Sequence, residues 1–304
     1  MLSVGHNLKV WIFITLCCLL AWTIYWVPSS IFRFSSYDGT PWDVAIQTFG
    51  VMFAVMELSA AVGMLVRFIG VFSAIISLSH FWPYSIWNRN RRFSEAKNWV
   101  ASALALESCY FALLLPSGLL MIGAGISYDV PLIGIILGVD YLLMVLFTAP
   151  FLAILAVKIF KLRSINANFT AWNWVSMVLV GYVASLWVNN IVKWIDVIML
   201  EGFGILFKGF VSLGALNSLI LMSLALIFTI IGAFSLVKQN IGSAFKWLGS
   251  ALVFIGLHYI IYVVYSFVVG MQGFLMIAEI WTIPLLGLGV VMLRTKVSKM
   301  EQNF

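Results

Sequence analysis

Charged residues are scarce in this chain, and their scarcity excludes a soluble globular protein. Of its 304 residues only 9% are charged and 63% are apolar, and the mean hydropathy is +1.08. Soluble domains carry roughly 25% charged residues. The net charge of +6 therefore reflects an uneven distribution over short connections rather than a surface for nucleic acid. These features predict a polytopic membrane protein whose solvent is largely lipid.

The motifs of common enzyme and nucleotide-binding classes are also missing. The sequence contains no phosphate-binding glycine loop, no His-Glu-x-x-His, no pair of aspartate-rich motifs and no Gly-x-Ser-x-Gly. Its three cysteines, Cys17, Cys18 and Cys109, are not spaced as metal ligands. No connection between apolar runs exceeds about fifteen residues, which leaves no room for a separate ligand-binding domain. We expect no metal site and no cofactor bound by this chain alone.

Eight apolar runs are long enough to cross a bilayer as helices, since a crossing needs about 20 residues. They predict an all-α, polytopic membrane helix bundle that forms one domain over residues 1–304. The first run is too long for a cleaved signal peptide and ends in Trp26-Val27-Pro28, so we expect it to be retained. The predicted spans are Val10–Val27, Asp43–Leu65, Trp99–Gly123, Val130–Val157, Ala171–Ile195, Phe210–Val237, Trp247–Gly270 and Met271–Leu293.

Basic residues gather at one end of these spans, and this bias predicts the orientation. Most of the 17 lysines and arginines precede the first span or follow the second, fourth, sixth and eighth. Arg67 is counted among them, directly after the second span. Acidic residues such as Asp43, Asp129 and Asp196 lie at the opposite ends. Both termini are therefore predicted to be cytoplasmic, in a multi-pass protein of the cell membrane.

The segment Phe68–Trp87 complicates this simple bundle because it follows Arg67 with no intervening turn. Ser73, Ser77 and His80 share one helical face within it. We expect the segment to lie flat at the cytoplasmic interface, with its tryptophans at headgroup level. As a ninth span it would instead place the N-terminus outside.

A short internal repeat relates two parts of the sequence. Trp99–Leu104 and Trp247–Leu252 are similar, and each opens a span directly after a basic connection. This similarity suggests a duplication of four spans, with halves near residues 1–157 and 158–304. Short matches arise readily by chance in apolar sequence, so a single undivided bundle stays open as well.

A polar stripe runs along the fifth predicted span. At about 100° per residue its members fall within about 80° of the helix circumference, so this face contacts protein or water rather than lipid. The stripe opens toward the outer surface and forms either an anchored helix end with a snorkelling lysine or a polar vestibule leading inward. Its members are Tyr182, Ser185, Asn189, Lys193 and Asp196.

Four acidic residues and a histidine lie inside the apolar runs, where ionisable groups are costly and often mark a functional pathway. Glu107 shares a helical face with Tyr110, and His258 shares one with Tyr262. Such an acid can relay protons or can simply donate a hydrogen bond to a neighbouring helix. The candidate residues for a quinone site or a proton path are Glu57, Glu107, Asp140, His258, Tyr262 and Glu279.

The length, the eight spans, the buried acids and the short connections resemble the hydrophobic multi-pass subunits of prokaryotic respiratory complexes. Quinone anchors of the polysulfide-reductase type and the B subunit of an archaeal b-type cytochrome have this plan. The resemblance implies an electron-transport subunit rather than an enzyme alone. It implies a cytochrome or iron–sulfur partner that holds any haem. The resemblance transfers no site; the buried titratable groups alone suggest that a quinone headgroup, if one binds, lies near His258, Tyr262 and Glu279.

A secondary transporter is the alternative function that the sequence supports. It would use the buried carboxylates for ion or proton coupling. Pro116 and Pro150 would interrupt two spans, and the helices of transporters are often interrupted in this way. A lipid-modifying enzyme inside the membrane is disfavoured because the metal and nucleophile motifs of such enzymes are missing. Nothing in the composition names a substrate.

Overall fold

Helices make up the described part of the chain, which contains no strand. In lipid each backbone N–H and C=O group must find a partner within its own segment, and a helix achieves this. A computed structural model describes residues 2–35, 51–80, 89–127, 138, 141–162, 172–201, 210–268 and 282–295. The elements are α1 (Leu2–Ser35), α2 (Val51–His80), α3 (Arg89–Ala112), α4 (Leu115–Ser127), a π-helical turn (Met144–Thr148), α5 (Ala149–Phe160), α6 (Trp172–Glu201), α7 (Phe210–Val237), α8 (Ile241–Val268) and α9 (Ile283–Arg294).

Six helical segments in the described residues are long and apolar enough to cross a membrane. A helix rises 1.5 Å per residue, so about 20 residues cover the roughly 30 Å of hydrocarbon. Trp172–Val188 and Ile283–Arg294 are apolar but shorter. The predicted class, a helical membrane bundle, agrees with this architecture. The six segments are Asn7–Tyr25, Leu58–His80, Ser94–Leu120, Tyr141–Phe160, Leu219–Val237 and Ile241–Val264.

The outer surface of these helices is apolar, as expected for a bundle that faces lipid. Large side chains such as Phe234, Leu146 and Phe160 are about 60% exposed. In water an exposed apolar area of this extent would mark a binding surface or an aggregation hazard. In a bilayer it costs nothing, because lipid chains are as apolar as the side chains themselves.

The helices are arranged in a ring that follows the order of the chain. In the series α1, α2, α3, α5, α6, α7 and α8, each helix packs against the next, α8 packs on α9, and α9 returns to α1. The π-helical turn packs against α6 and α5, and α4 packs beside α2. Side chains that point inward from helices distant in this order therefore meet in the interior of the ring.

Glycines bring the backbones of α8 and α9 into direct contact. A Cβ atom at Gly289 would lie 2.7 Å from the carbonyl oxygen of Gly249, and one at Gly249 would lie 3.0 Å from the carbonyl oxygen of Gly289. Gly256 meets the backbone of Leu286 in the same way, at 2.8 Å. Small residues permit such approach, which strengthens dispersion contacts where the hydrophobic effect is absent.

The helix of the second predicted span does not end near Leu65. Residues 51–80 form one continuous helix of 30 residues, and its segment Leu58–His80 is long and apolar enough to cross a membrane. Arg67 therefore lies inside that helical segment and not in a connection. Residues 68–80 are neither a separate interfacial helix nor the start of a ninth span, whereas residues 81–88 lie outside the described part of the chain.

Packing explains why this helix continues past Arg67. On the far side of the arginine, the Oγ of Ser77 donates a hydrogen bond of 2.9 Å to the carbonyl oxygen of Ala96 on α3. A Cβ atom at Gly70 would lie 3.2 Å from the Cβ of Leu106. The two helices thus run antiparallel in close contact beyond Arg67, so the segment after it belongs to the bundle.

The third predicted span and the described part of the fourth are helical but interrupted. Helix α3 begins at Arg89, well before the predicted start at Trp99, and a turn at Leu113 and Leu114 separates it from α4. The π-helical turn Met144–Thr148 precedes α5. Pro116 and Pro150 follow these two irregularities, which is expected because proline has no N–H group to continue the helical pattern.

Candidate functional site

The most distinctive polar contact in the described residues is an ion pair in the middle of two membrane-spanning segments. The Nη2 atom of Arg67 lies 3.1 Å from the Oε1 atom of Glu107. Arg67 belongs to the segment Leu58–His80 and Glu107 to Ser94–Leu120. Separate charges at this depth would each be costly, and pairing them reduces that cost. The antiparallel packing of α2 and α3 brings the two side chains together.

Aromatic side chains enclose the guanidinium group of Arg67. Its Cζ atom lies 4.5 Å from the ring centroid of Tyr110 and 5.1 Å from that of Trp22. Both distances are within the range of cation–π attraction, which is strongest where water is excluded. Tyr110 and Tyr182 also interact electrostatically with the same arginine. Helices α1, α2, α3 and α6 therefore all contribute to one site inside the ring.

The hydrogen-bonding capacity of Arg67 is only partly used within the described residues. Its side chain is 8% exposed, yet its Nε atom is buried with no hydrogen-bond partner among them. A guanidinium group carries five N–H donors in a planar fork. A buried donor without an acceptor costs about 1–3 kcal/mol. This free donor is the feature that turns an ion pair into a candidate binding site.

The carboxylate side of the pair is more open than the guanidinium side. The Glu107 side chain keeps 22% of its surface exposed, against 8% for Arg67. Ser108, the next residue, donates a hydrogen bond of 2.7 Å from its Oγ to the carbonyl oxygen of Ala149. This bond fixes α3 against α5 beside the pair. The arginine is thus more enclosed than the carboxylate.

A hydrophobic cluster holds the aromatic part of the site in place. The buried residues Tyr110, Phe111, Ala149 and Leu152 form its centre, and Tyr182 packs against them. The rings of Phe111 and Tyr182 meet edge to face, with centroids 6.1 Å apart. This packing links α3, α5 and α6 around the ion pair.

Both helix interruptions lie close to this cluster. The turn at Leu113 and Leu114 begins two residues after Phe111, and the N–H of Leu114 donates to the carbonyl oxygen of Phe111 at 3.1 Å. In the π-helical turn, Thr148 is 1% exposed and its hydroxyl group has no partner among the described residues. That hydroxyl would lie 3.5 Å from a Cβ atom at Gly181, next to Tyr182. Irregular turns of this kind recur at functional sites.

The predicted polar stripe of the fifth span contributes to the site through its inner end. Tyr182 contacts Arg67, and Ser185 is completely buried. Asn189, Lys193 and Asp196 follow on α6, but their side chains lie outside the described part of the structure. The vestibule that they would form toward the outer surface stays a prediction.

Of the predicted quinone or proton-path residues, the structure describes the side chains of three, which lie on two different helices. Glu107 is in the ion pair described above. His258 and Tyr262 lie on α8, where His258 is 1% exposed and its ring centroid is 4.9 Å from that of Tyr259. Glu57 lies on α2 with its side chain outside the described part. Asp140 and Glu279 lie outside the described residues.

Histidine 258 belongs to a different part of the bundle from Arg67. It lies on α8, in the region of a second cluster formed by Val183, Met222, Ala225 and Ile255. Helix α6 takes part in both clusters, because Tyr182 packs with the first and Val183 with the second. The described residues contain no group of three histidine, cysteine, aspartate or glutamate side chains placed to hold a metal ion.

Arg67 is the functional candidate that the sequence analysis missed. A charge next to the expected end of a span is an ordinary orientation signal, so its position suggested a connection. The sequence signal that Arg67 lies inside a span was the uncharged and largely apolar run from Phe68 to Leu78 that follows it. A carboxylate at mid-span, such as that of Glu107, also indicates that a cation on another helix pairs with it.

Comparisons with protein-family models, with curated proteins and with solved structures give no match for this chain. The functional conclusion therefore depends on the geometry and chemistry of the site.

Proposed function

We propose that this chain is a secondary transporter of the cell membrane. It has eight spans with both termini in the cytoplasm, and Glu107 couples an ion or a proton to movement of the substrate. The single observation that carries the proposal is the Arg67–Glu107 pair, which lies at mid-span beside two interrupted helices. Substrate and ion sites of transporters commonly lie near the bilayer midplane, where helices are broken.

The electrostatics of the pair support an alternating mechanism. Arg67 needs a negative partner at this depth, and Glu107 supplies it in the arrangement described. When a proton or another cation binds to Glu107, the arginine loses that partner and takes a new one from the substrate. The two states then differ in the contacts of one cation, Arg67. The turns at Leu113–Leu114 and Met144–Thr148 are the places where the adjoining helices change direction between these states.

A labelling experiment tests this function without knowledge of the substrate. In a cysteine-free background, Tyr182→Cys reports access to the site, and Met177→Cys on the same helix reports a lipid-facing position that is 53% exposed. Alternating access predicts that a membrane-impermeant thiol reagent labels position 182 from either side, in right-side-out and in inverted vesicles. Position 177 should stay unlabelled from both. Labelling of position 182 from one side only, or from neither, would contradict a transporter.

The orientation is tested by tags at the two ends of the chain. Reporter tags at Met1 and at Phe304 are expected to stay on the cytoplasmic side, as an even number of spans requires. A tag at the N-terminus that is accessible from outside would overturn the eight-span arrangement.

That this chain is a subunit of a respiratory complex, with a cytochrome or iron–sulfur partner, remains a prediction from the sequence. Its candidate residues His258 and Tyr262 lie on α8, away from the ion pair. Purification from native membranes in mild detergent, followed by a redox difference spectrum, tests it directly. Haem bands and a co-purifying redox partner would favour that function over transport.

A further inference from the structure

We infer that the substrate is a small organic anion with an aromatic or otherwise apolar body, bound by Arg67 and carried together with one proton on Glu107. This inference rests on the proposed function and specifies its substrate class. Three observations on the described residues carry it: a buried donor on the arginine, an aromatic enclosure around it, and the charge balance of the pair.

The buried donor indicates what kind of group binds. Nη2 of Arg67 contacts Glu107, and Tyr110 and Tyr182 interact with the same guanidinium group. The Nε atom remains buried without an acceptor among the described residues. A carboxylate or another oxyanion matches the planar fork of a guanidinium group and forms charge-assisted hydrogen bonds with it. A cationic substrate would be repelled by the same arginine.

The enclosure indicates what the rest of the substrate looks like. Trp22 and Tyr110 lie against the guanidinium group at 5.1 and 4.5 Å. Phe111 extends the aromatic surface, with its ring centroid 5.1 Å from that of Tyr110. Aromatic rings pack favourably against apolar and aromatic groups. A substrate that joins an oxyanion to an apolar body therefore contacts this site through both of its parts.

The charge balance indicates that a proton accompanies the anion. Among the described residues, the titratable and charged groups that face Glu107 are Arg67 from α2, Tyr110 from its own helix and Tyr182 from α6. Helix α5 contributes the apolar residues Ala149 and Leu152 on this side. The pair is therefore neutral as a whole. An added anion would make the site negative at membrane depth, at considerable cost.

One proton restores that neutrality. A proton from the aqueous phase adds to a carboxylate oxygen of Glu107, so that the acid becomes neutral and releases Arg67. The substrate anion then takes the place of the Glu107 carboxylate on the guanidinium group. No covalent bond of the substrate forms or breaks, and the net charge of the loaded site equals that of the empty one.

Calorimetric titration of the purified protein with benzoate tests both parts of the inference. Repeating the titration in buffers of different ionisation enthalpy measures the protons taken up for each benzoate bound. We expect saturable binding with about one proton taken up per benzoate, and no binding of benzylamine. Absence of benzoate binding, preference for benzylamine, or binding without proton uptake would each overturn the inference.

Variants assign the roles of the two residues. Glu107→Gln keeps the shape of a protonated acid, so it should bind benzoate with no proton uptake. Arg67→Gln should weaken binding by roughly ten- to a hundredfold, the usual effect of losing a charge-assisted hydrogen bond. The double variant R67Q/E107Q is neutral and is expected to fold even where the single arginine variant does not. Full benzoate affinity in the double variant would exclude Arg67 as the anion site.

The matched control is Glu95→Gln, which removes the other acid of α3 at a half-exposed position 3.6 Å from His80. It should leave both benzoate affinity and proton uptake unchanged. The outcomes also separate this inference from the proposed function. Two-sided labelling at position 182 without benzoate binding would retain a transporter and reject the anion. Proton-linked benzoate binding with one-sided labelling would retain the anion site and reject transport.

Discussion

The Arg67 guanidinium group and the Glu107 carboxylate, forty residues apart in the chain, meet at 3.1 Å inside the bundle. Neither charge is stable at that depth by itself, so each accounts for the presence of the other. The pair also places the middle of the segment Leu58–His80 and the middle of the segment Ser94–Leu120 at the same level of the bundle. Stability and proposed function therefore depend on one contact.

Removing one member of the pair should destabilise the protein strongly. Glu107→Ala leaves the arginine charge buried without its partner, and we expect a loss of about 3–5 kcal/mol. Replacing both residues by leucine should recover most of this loss, because no charge remains to be buried. Unfolding of the detergent-solubilised protein measures the effect. A single variant as stable as the double variant would show that the pair contributes no mutual stabilisation.

The control for that experiment is the second ion pair between α2 and α3. Glu95 lies 3.6 Å from His80, and its side chain is 45% exposed. Exposed pairs contribute about 0–1 kcal/mol, so Glu95→Gln should change the stability little.

Glycine 289 should not tolerate even an added methyl group. In Gly289→Ala the new Cβ atom would meet the carbonyl oxygen of Gly249 at 2.7 Å and the backbone nitrogen of Val253 at 2.9 Å. Helices α8 and α9 would have to separate, at an expected cost of about 1–3 kcal/mol. Gly123→Ala is the matched control, since a Cβ atom there meets nothing within 4 Å. Thermal unfolding of both variants in detergent distinguishes close packing from a general effect of replacing glycine.

Two buried threonines should respond in opposite directions to the same substitution. Thr148 has a buried hydroxyl group without a partner in the described part, so Thr148→Val should leave stability unchanged or raise it by about 1 kcal/mol. The hydroxyl of Thr229 donates to the carbonyl oxygen of Ala225 at 2.7 Å. Thr229→Val loses that bond, and a decrease of about 0.5–1.5 kcal/mol is expected. Equal changes in the two melting temperatures would be inconsistent with this description.

The depth of α2 in the membrane can be measured by cysteine labelling in a cysteine-free background. Ile69→Cys lies inside the segment Leu58–His80 and faces outward with 51% exposure. It should be protected by lipid from an impermeant thiol reagent. Ser79→Cys, at the end of the same segment, is exposed and should be labelled from the cytoplasmic side. Ready labelling at position 69 would instead place Arg67 at the membrane surface, as the sequence alone suggested.

Hydrophobic patterning predicted the helices well where a run had clear ends. The sixth predicted span, Phe210–Val237, coincides with α7 at both ends. It did less well where a charge interrupted a run. Arg67 was interpreted as the end of a span, and α2 instead continues to His80. The reason is physical, because charge normally marks the membrane boundary unless a partner on another helix neutralises it.

The candidate site was predictable only in pieces. Glu107, Tyr110 and Tyr182 were identified from their positions on helical faces, whereas their common partner was not. Trp22 was also missed, since a tryptophan near the end of a span is usually an interfacial anchor. Its contact with Arg67 requires α1 to pack beside α2, which no local pattern reveals.

The sequence by itself determined that this is an apolar helical bundle, because a chain with so few charges can satisfy its backbone in lipid only within helices. It also determined that any chemistry must lie with the few ionisable groups in the apolar runs. Only the tertiary structure decided which of those groups meet. The Arg67–Glu107 contact depends on the register between two antiparallel helices, and that register is set by close packing at Gly70 and by the Ser77 hydrogen bond. Such contacts join residues far apart in the chain, so the hydrophobic periodicity of the sequence does not predict them.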